Sequence, residues 1–105
     1  MSKLKIAIAD DYEVFREGLT ITLEMNDDIE VIMEAENGEA LLAKMELTLP
    51  EVVIMDFKMP IMDGMKATRL IKQRYPAVKV IVISMYEDEK FITSFNECGV
   101  HPYLF

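Results

Sequence analysis

Cysteine occurs once in this chain, at Cys98, histidine once, at His101, and tryptophan not at all. A lone cysteine excludes an internal disulfide and fits a reducing, cytoplasmic setting. Basic residues are also scarce: 11 Lys and Arg stand against 19 Asp and Glu, for a net charge of −8. That balance argues against this segment gripping a nucleic-acid backbone, because non-specific affinity for phosphates comes from Lys and Arg. No apolar run approaches the length of a membrane span, and "MSKLKIAIADD" meets charge too early for a signal peptide. No linker, repeat or low-complexity stretch interrupts the 105 residues, which suit one small domain. The 51% hydrophobic content is enough to build its core.

What is present alternates. "LKIAIA" (4–9), "IEVIMEAE" (29–36), "VVIM" (52–55), "VKVIVIS" (78–84) and "HPYLF" (101–105) read as buried strands. Between them lie helical patterns. Val14, Phe15, Gly18, Leu19, Thr22 and Leu23 form one stripe. Leu41, Leu42, Met45 and Leu49 form a second, in a helix ending before Pro50. A third helix is expected over Met65–Tyr75, after Gly64 and before Pro76. A fourth is capped by Asp88, with Phe91, Phe95 and Cys98 on its apolar face, and ends at Gly99. Asn37-Gly38 reads as the stop of the second strand. Strand, helix, strand throughout predicts an α/β fold with a doubly wound parallel sheet.

In such sheets ligands bind beyond the carboxyl ends of the strands. Asp10 and Asp11 follow strand one, Asp56 ends strand three and Ser84 ends strand four. If strands one and three are neighbours, three carboxylates crowd together, and their mutual repulsion calls for a cation. Mg²⁺, a hard ion content with a few protein oxygens and its own waters, is the natural partner. Beside it, Asp56 at the end of a rigid strand could attack phosphorus to form an acyl phosphate, with Ser84 hydrogen-bonding a phosphoryl oxygen. Taken singly, each carboxylate could be an ordinary loop residue; the joint placement carries the reading. His101 and Cys98 are expected to be structural. The nine methionines are expected to fill core, with Met62 and Met85 exposed near the site.

"IADD" (8–11), "VVIMDFKMPIMDG" (52–64), "VIVIS" (80–84) and "GVHPYLF" (99–105) together resemble the receiver domain of bacterial two-component response regulators, of the subtype that precedes a helix-turn-helix DNA-binding domain. The resemblance spans essentially the whole chain. It implies a flavodoxin-like five-stranded sheet of order 2-1-3-4-5. It also implies Asp56 as phosphoacceptor, Mg²⁺ held by Asp10, Asp11, Asp56 and the backbone carbonyl of Lys58, Ser84 as switch hydroxyl and Tyr103 as aromatic switch. The implied partners are a sensor histidine kinase and, only through an output domain outside this chain, DNA.

The family's lysine after strand five and its fifth helix have no counterpart in residues 1–105, so a receiver domain truncated at its C-terminus is expected. Such a chain should self-associate through the bared sheet face or rearrange its last strand and helix to cover it, and should phosphorylate slowly. The rival readings are a pseudo-receiver that binds partners without phosphorylation and a haloacid-dehalogenase-type phosphatase. The latter needs a second Asp two positions past the nucleophile, where this chain has Lys58.

Overall fold

A computed structural model of the chain describes residues 3–84 and the strand 101–104, with Ser84 and 101–104 described through their backbone. Five strands, β1 (Leu4–Ala9), β2 (Ile29–Ala35), β3 (Val52–Asp56), β4 (Lys79–Ser84) and β5 (His101–Leu104), form one parallel sheet in the order β2-β1-β3-β4-β5. Three helices lie among the described residues: α1 (Glu13–Glu24), α2 (Gly38–Met45) and α3 (Gly64–Arg74). The helix expected at Asp88–Cys98 and the expected exposure of Met85 lie outside the described residues.

The two faces of the sheet are unequally furnished. Ala7, Ala9, Val53, Met55, Val80 and Val82 alternate onto the face covered by α2 and α3, in a cluster with Leu41, Leu42, Met45, Ala67 and Ile71. Ile6, Ile8, Ile54 and Ile83 point to the other face, against Leu19 and Leu23 of α1. No residue of α1 is fully buried. Its sheet-facing stripe is narrower than the sequence pattern suggests: Phe15, Leu19 and Leu23 are half-buried, while Val14 is 69% exposed.

Two helix boundaries differ from the sequence reading. Asn37 does not merely stop β2. Its side chain accepts the Ala40 amide at 2.8 Å and caps α2, which therefore starts at Gly38. The helix closes at Met45, where the Leu47 and Thr48 amides both turn back to the Lys44 carbonyl. Leu49 thus falls in the following loop, 46% exposed, rather than on the apolar stripe. Met62 is also corrected. Its carbonyl accepts the Gly38 amide at 3.0 Å, which draws the loop onto α2 and packs Met62 against the core.

Candidate functional site

The register of β1 on β3 builds the site. Ala9 pairs with Met55, so the next residue on each strand, Asp10 and Asp56, leaves the sheet edge side by side. Asp11 follows Asp10, and the three carboxylates each offer an oxygen within 4.8 Å of the others. Asp10 is 8% exposed, Asp56 half-buried and Asp11 exposed. The backbone holding them is pinned on several sides. The Asp10 amide bonds the Ala35 carbonyl at the end of β2 at 3.0 Å. The Asp10 carboxylate accepts the Tyr12 amide at 2.8 Å, which sets the entry into α1.

On the β3 side, the Phe57 amide reaches the Ile83 carbonyl at 3.3 Å, and the Gly64 amide reaches the Phe57 carbonyl at 2.9 Å. Asp63 caps α3 by accepting the Lys66 amide at 2.9 Å. The loop between β3 and α3 is therefore closed at both ends. Its middle is strained: Ile61 has φ 68°, and the Met62 amide donates to the Pro60 carbonyl at 2.7 Å across it.

Crowding acts on the carboxyls as charge physics demands. Burial pushes Asp56 up to about 7, with the charges of Asp10 and then Asp11 adding to it. The Lys58 and Phe57 amides, which donate to the Asp56 carboxylate, oppose the rise without cancelling it. Asp10 is likewise raised, chiefly by burial; the Tyr12 amide and the Arg16 guanidinium pull the other way. A pocket that resists holding its own charges is one that gains by taking up a cation. The donors are all hard oxygens, two of them partly or wholly withdrawn from water, and this set suits Mg²⁺.

The structure thus gathers Asp10, Asp11 and Asp56 as the sequence suggests, with Lys58 two residues past Asp56 in the same loop. Ser84 ends β4 one residue beyond Ile83, the partner of Asp56, and Tyr103 pairs with Ile83 from β5. The side chains of Ser84 and Tyr103 lie outside the described residues. Sequence reading passed over Arg16 and Glu34. Arg16 Nη1 donates to the Asp10 carbonyl at 2.7 Å and its Nε to Glu34 on β2 at 3.1 Å. The signal was available: a cation set within the sheet-facing stripe of α1, beside Phe15 and one turn before Leu19.

Among known proteins, residues 6–105 match the response regulator receiver domain family. The chain is 41% identical over 103 residues to the transcriptional regulatory protein DegU of Brevibacillus brevis, covering 98% of this chain and 44% of that one. It is 34% identical to the response regulator GacA of Pseudomonas syringae, covering 96% and 47%. The chain spans about half the length of the curated relatives it matches. Its fold superposes on the receiver domain of a NarL response regulator from Mycobacterium tuberculosis with a TM-score of 0.90 at 28% identity, covering 99% of this chain and 84% of that one. A LuxR-family two-component response regulator from Aurantimonas gives 0.90 at 28% identity, covering 97% and 73%. These relatives are named as regulators of signalling and transcription, not as enzymes.

Proposed function

The chain belongs to the response regulator receiver domain family, and on that footing we propose that residues 1–105 act as a cytoplasmic phosphorylation switch. Asp56 accepts a phosphoryl group from a histidine of a sensor kinase, and the switch governs a transcriptional output module outside this span. The observation that carries the reading is the convergence of Asp10, Asp11 and Asp56 at adjoining strand ends. An Asp56 carboxylate oxygen attacks phosphorus, the P–N bond to the donor imidazole breaks, and its electron pair stays on the ring nitrogen. Asp10, Asp11, Asp56 and the Lys58 carbonyl are the groups that would hold Mg²⁺, which when bound neutralises charge on the transferring phosphoryl oxygens. The rigid end of β3 fixes the attacking oxygen. Phe57 and Lys58 amides, already aimed at Asp56, keep the carboxylate oriented. Ser84 and Tyr103 serve as the switch hydroxyl and the aromatic switch.

The thin α1 side of the sheet gives this reading a second part: two copies of the chain associate through it. Ile81, on a strand with neighbours on both sides, is still 38% exposed there, and a second copy offers the same apolar patch in return.

The deciding experiment treats the protein with a small phosphodonor and Mg²⁺ and locates the adduct by mass spectrometry. One phosphoryl group on Asp56, absent from Asp56→Asn and lost on adding a chelator beforehand, is expected. Uptake by Asp56→Asn at the normal rate would refute the assignment.

A further inference from the structure

Arg16 is an arginine that the phosphotransfer scheme does not use, yet it is 15% exposed and makes two directed bonds. One goes to the backbone carbonyl of Asp10, the other to Glu34. Its own amide sits in the first turn of α1, bonded to the Tyr12 carbonyl at 2.9 Å. The side chain therefore doubles back past the helix start to grip the residue where β1 turns into α1. Three elements meet on one guanidinium: the end of β1, the first turn of α1, and β2 through Glu34.

We propose that Arg16, anchored by Glu34, is the positioning residue of the cation site: it fixes the turn from which Asp10 and Asp11 present their carboxylates. The inference rests on the reading of that pocket as a Mg²⁺ site. A cation placed beside a cation site repels the metal, so charge alone does not account for Arg16 there. Two features resolve this. Glu34 offsets the guanidinium, and the bond to Asp10 is made to its backbone carbonyl, leaving the carboxylate oxygens for the Tyr12 amide and a metal. The planar fork of arginine meets two acceptors at once, which a lysine ammonium on a flexible stem does not reproduce.

Charge and geometry predict opposite results, which makes the role testable. If Arg16 acted only through its charge, Arg16→Lys would leave metal binding unchanged. If it acts by holding the turn, Arg16→Lys loosens the site although the charge stays. Mg²⁺ needs near-ideal placement of its ligands and Ca²⁺ tolerates flexible ones, so loosening must erode the preference for Mg²⁺ over Ca²⁺. A change in net charge, or in global stability, moves both ions together.

The experiment is titration of the 105-residue chain with Mg²⁺ and with Ca²⁺, followed by backbone amide shifts, for the wild type, Arg16→Lys, Glu34→Ala and Asp11→Asn. Arg16→Lys is expected to weaken Mg²⁺ binding about tenfold, in the range found for residues that orient metal ligands, and to weaken Ca²⁺ less. Glu34→Ala should shift the preference in the same direction, since it frees Arg16 without touching the carboxylates. Should Arg16→Lys fail to fold, Glu34→Ala decides alone: an unaltered ion preference there overturns the proposal. An Arg16→Lys protein that binds both ions as the wild type does also overturns it. The two readings fail separately. Wild-type shifts remote from Asp10, Asp11 and Asp56, or an Asp11→Asn protein that titrates unchanged, would remove the cation site itself.

Discussion

Gly64 stands so close over the backbone carbonyl of Asp56 that no β-carbon fits between them. The same β-carbon would lie 3.1 Å from the Met55 side chain. This contact seats the first residue of α3 on the last residue of β3, and the Gly64 amide bonds the Phe57 carbonyl beside it. Alanine at Gly64 must push α3 away or tilt the end of β3. The cost of such overpacking is about 1–3 kcal/mol, and it falls on the strand end that aims Asp56. Gly64→Ala is expected to lower the denaturant midpoint and weaken Mg²⁺ binding together. Gly18→Ala is the control. A β-carbon there meets nothing within 4 Å, in the middle of α1, and should stabilise the chain by about 0.5–1 kcal/mol.

The pH response follows from Asp56. Its carboxyl is held up to about 7, against an ordinary value of 3.8. The folded state therefore keeps a proton that the unfolded state has already released. Stability from this group is fully present below about pH 4 and is lost as pH rises toward and through 7. Asp10, also raised, acts in the same direction. Metal-free protein is expected to unfold at lower denaturant at pH 8 than at pH 5.5, and Mg²⁺ should restore stability mainly at the higher pH. Asp56→Asn should flatten the profile and stabilise the metal-free form at pH 8. A midpoint that rises steadily from pH 5.5 to 8 without metal would contradict this account.

Much of this was readable from the chain. The alternation of "IAIA", "VVIM" and "VIVI" with helical stripes marks buried parallel strands, and β1 matches its expected span, Leu4–Ala9. The acidic pocket was legible because carboxylates at strand ends can only converge when their strands adjoin, which β1 and β3 do. Less legible were features that depend on which neighbour a polar group finds. Asn37 has the same letter whether it stops a strand or caps a helix. Arg16 goes unnoticed until β2 supplies Glu34. Met62 looked exposed until its carbonyl met the Gly38 amide. The Asn37 cap is local, made to Ala40 three residues on, whereas Arg16 and Met62 were settled by contacts distant in sequence, which local pattern does not encode.

Ile61 makes the loop after Asp56 a site of stored strain. A β-branched residue at φ 68° is disfavoured, and the hydrogen bond across it marks a γ-turn of the rarer, strained kind. Nothing in its packing compensates, as the side chain is 77% exposed. Ile61→Gly removes the steric penalty, about 1–2 kcal/mol, and returns about 0.4–1 kcal/mol as added freedom of the unfolded chain. A net gain of a few tenths to about 1 kcal/mol is expected, read from denaturant unfolding. Because the Met62 carbonyl is tied to the Gly38 amide, slower hydrogen exchange at Gly38 should accompany the gain. A loss of stability would mean that Ile61 is held by contacts outweighing its backbone strain.

The unequal faces of the sheet lead to the last expectation. Among the described residues the α2–α3 side buries a large cluster, whereas the α1 side buries Ile6, Ile8, Ile54 and Ile83. Ile81 sits between β3 and β5 in the sheet and is nonetheless 38% exposed. An interior strand position normally reaches the centre of a core, so exposure there marks apolar surface that gains by being covered. Two copies of the chain can cover each other's patch, but each carries a net charge of −8. The apolar gain is thus opposed by long-range repulsion, which salt screens within about 8–10 Å at physiological strength. Self-association is therefore expected to strengthen with added salt, opposite to the behaviour of an interface built on ion pairs. Light scattering over a concentration series at low and high salt measures it. Ile81→Lys should return the protein to monomer, whereas Leu47→Lys, at an 87% exposed position in the loop after α2, should not. A chain that stays monomeric at high salt and high concentration, or dimers indifferent to Ile81→Lys, would show that this face is not where copies meet.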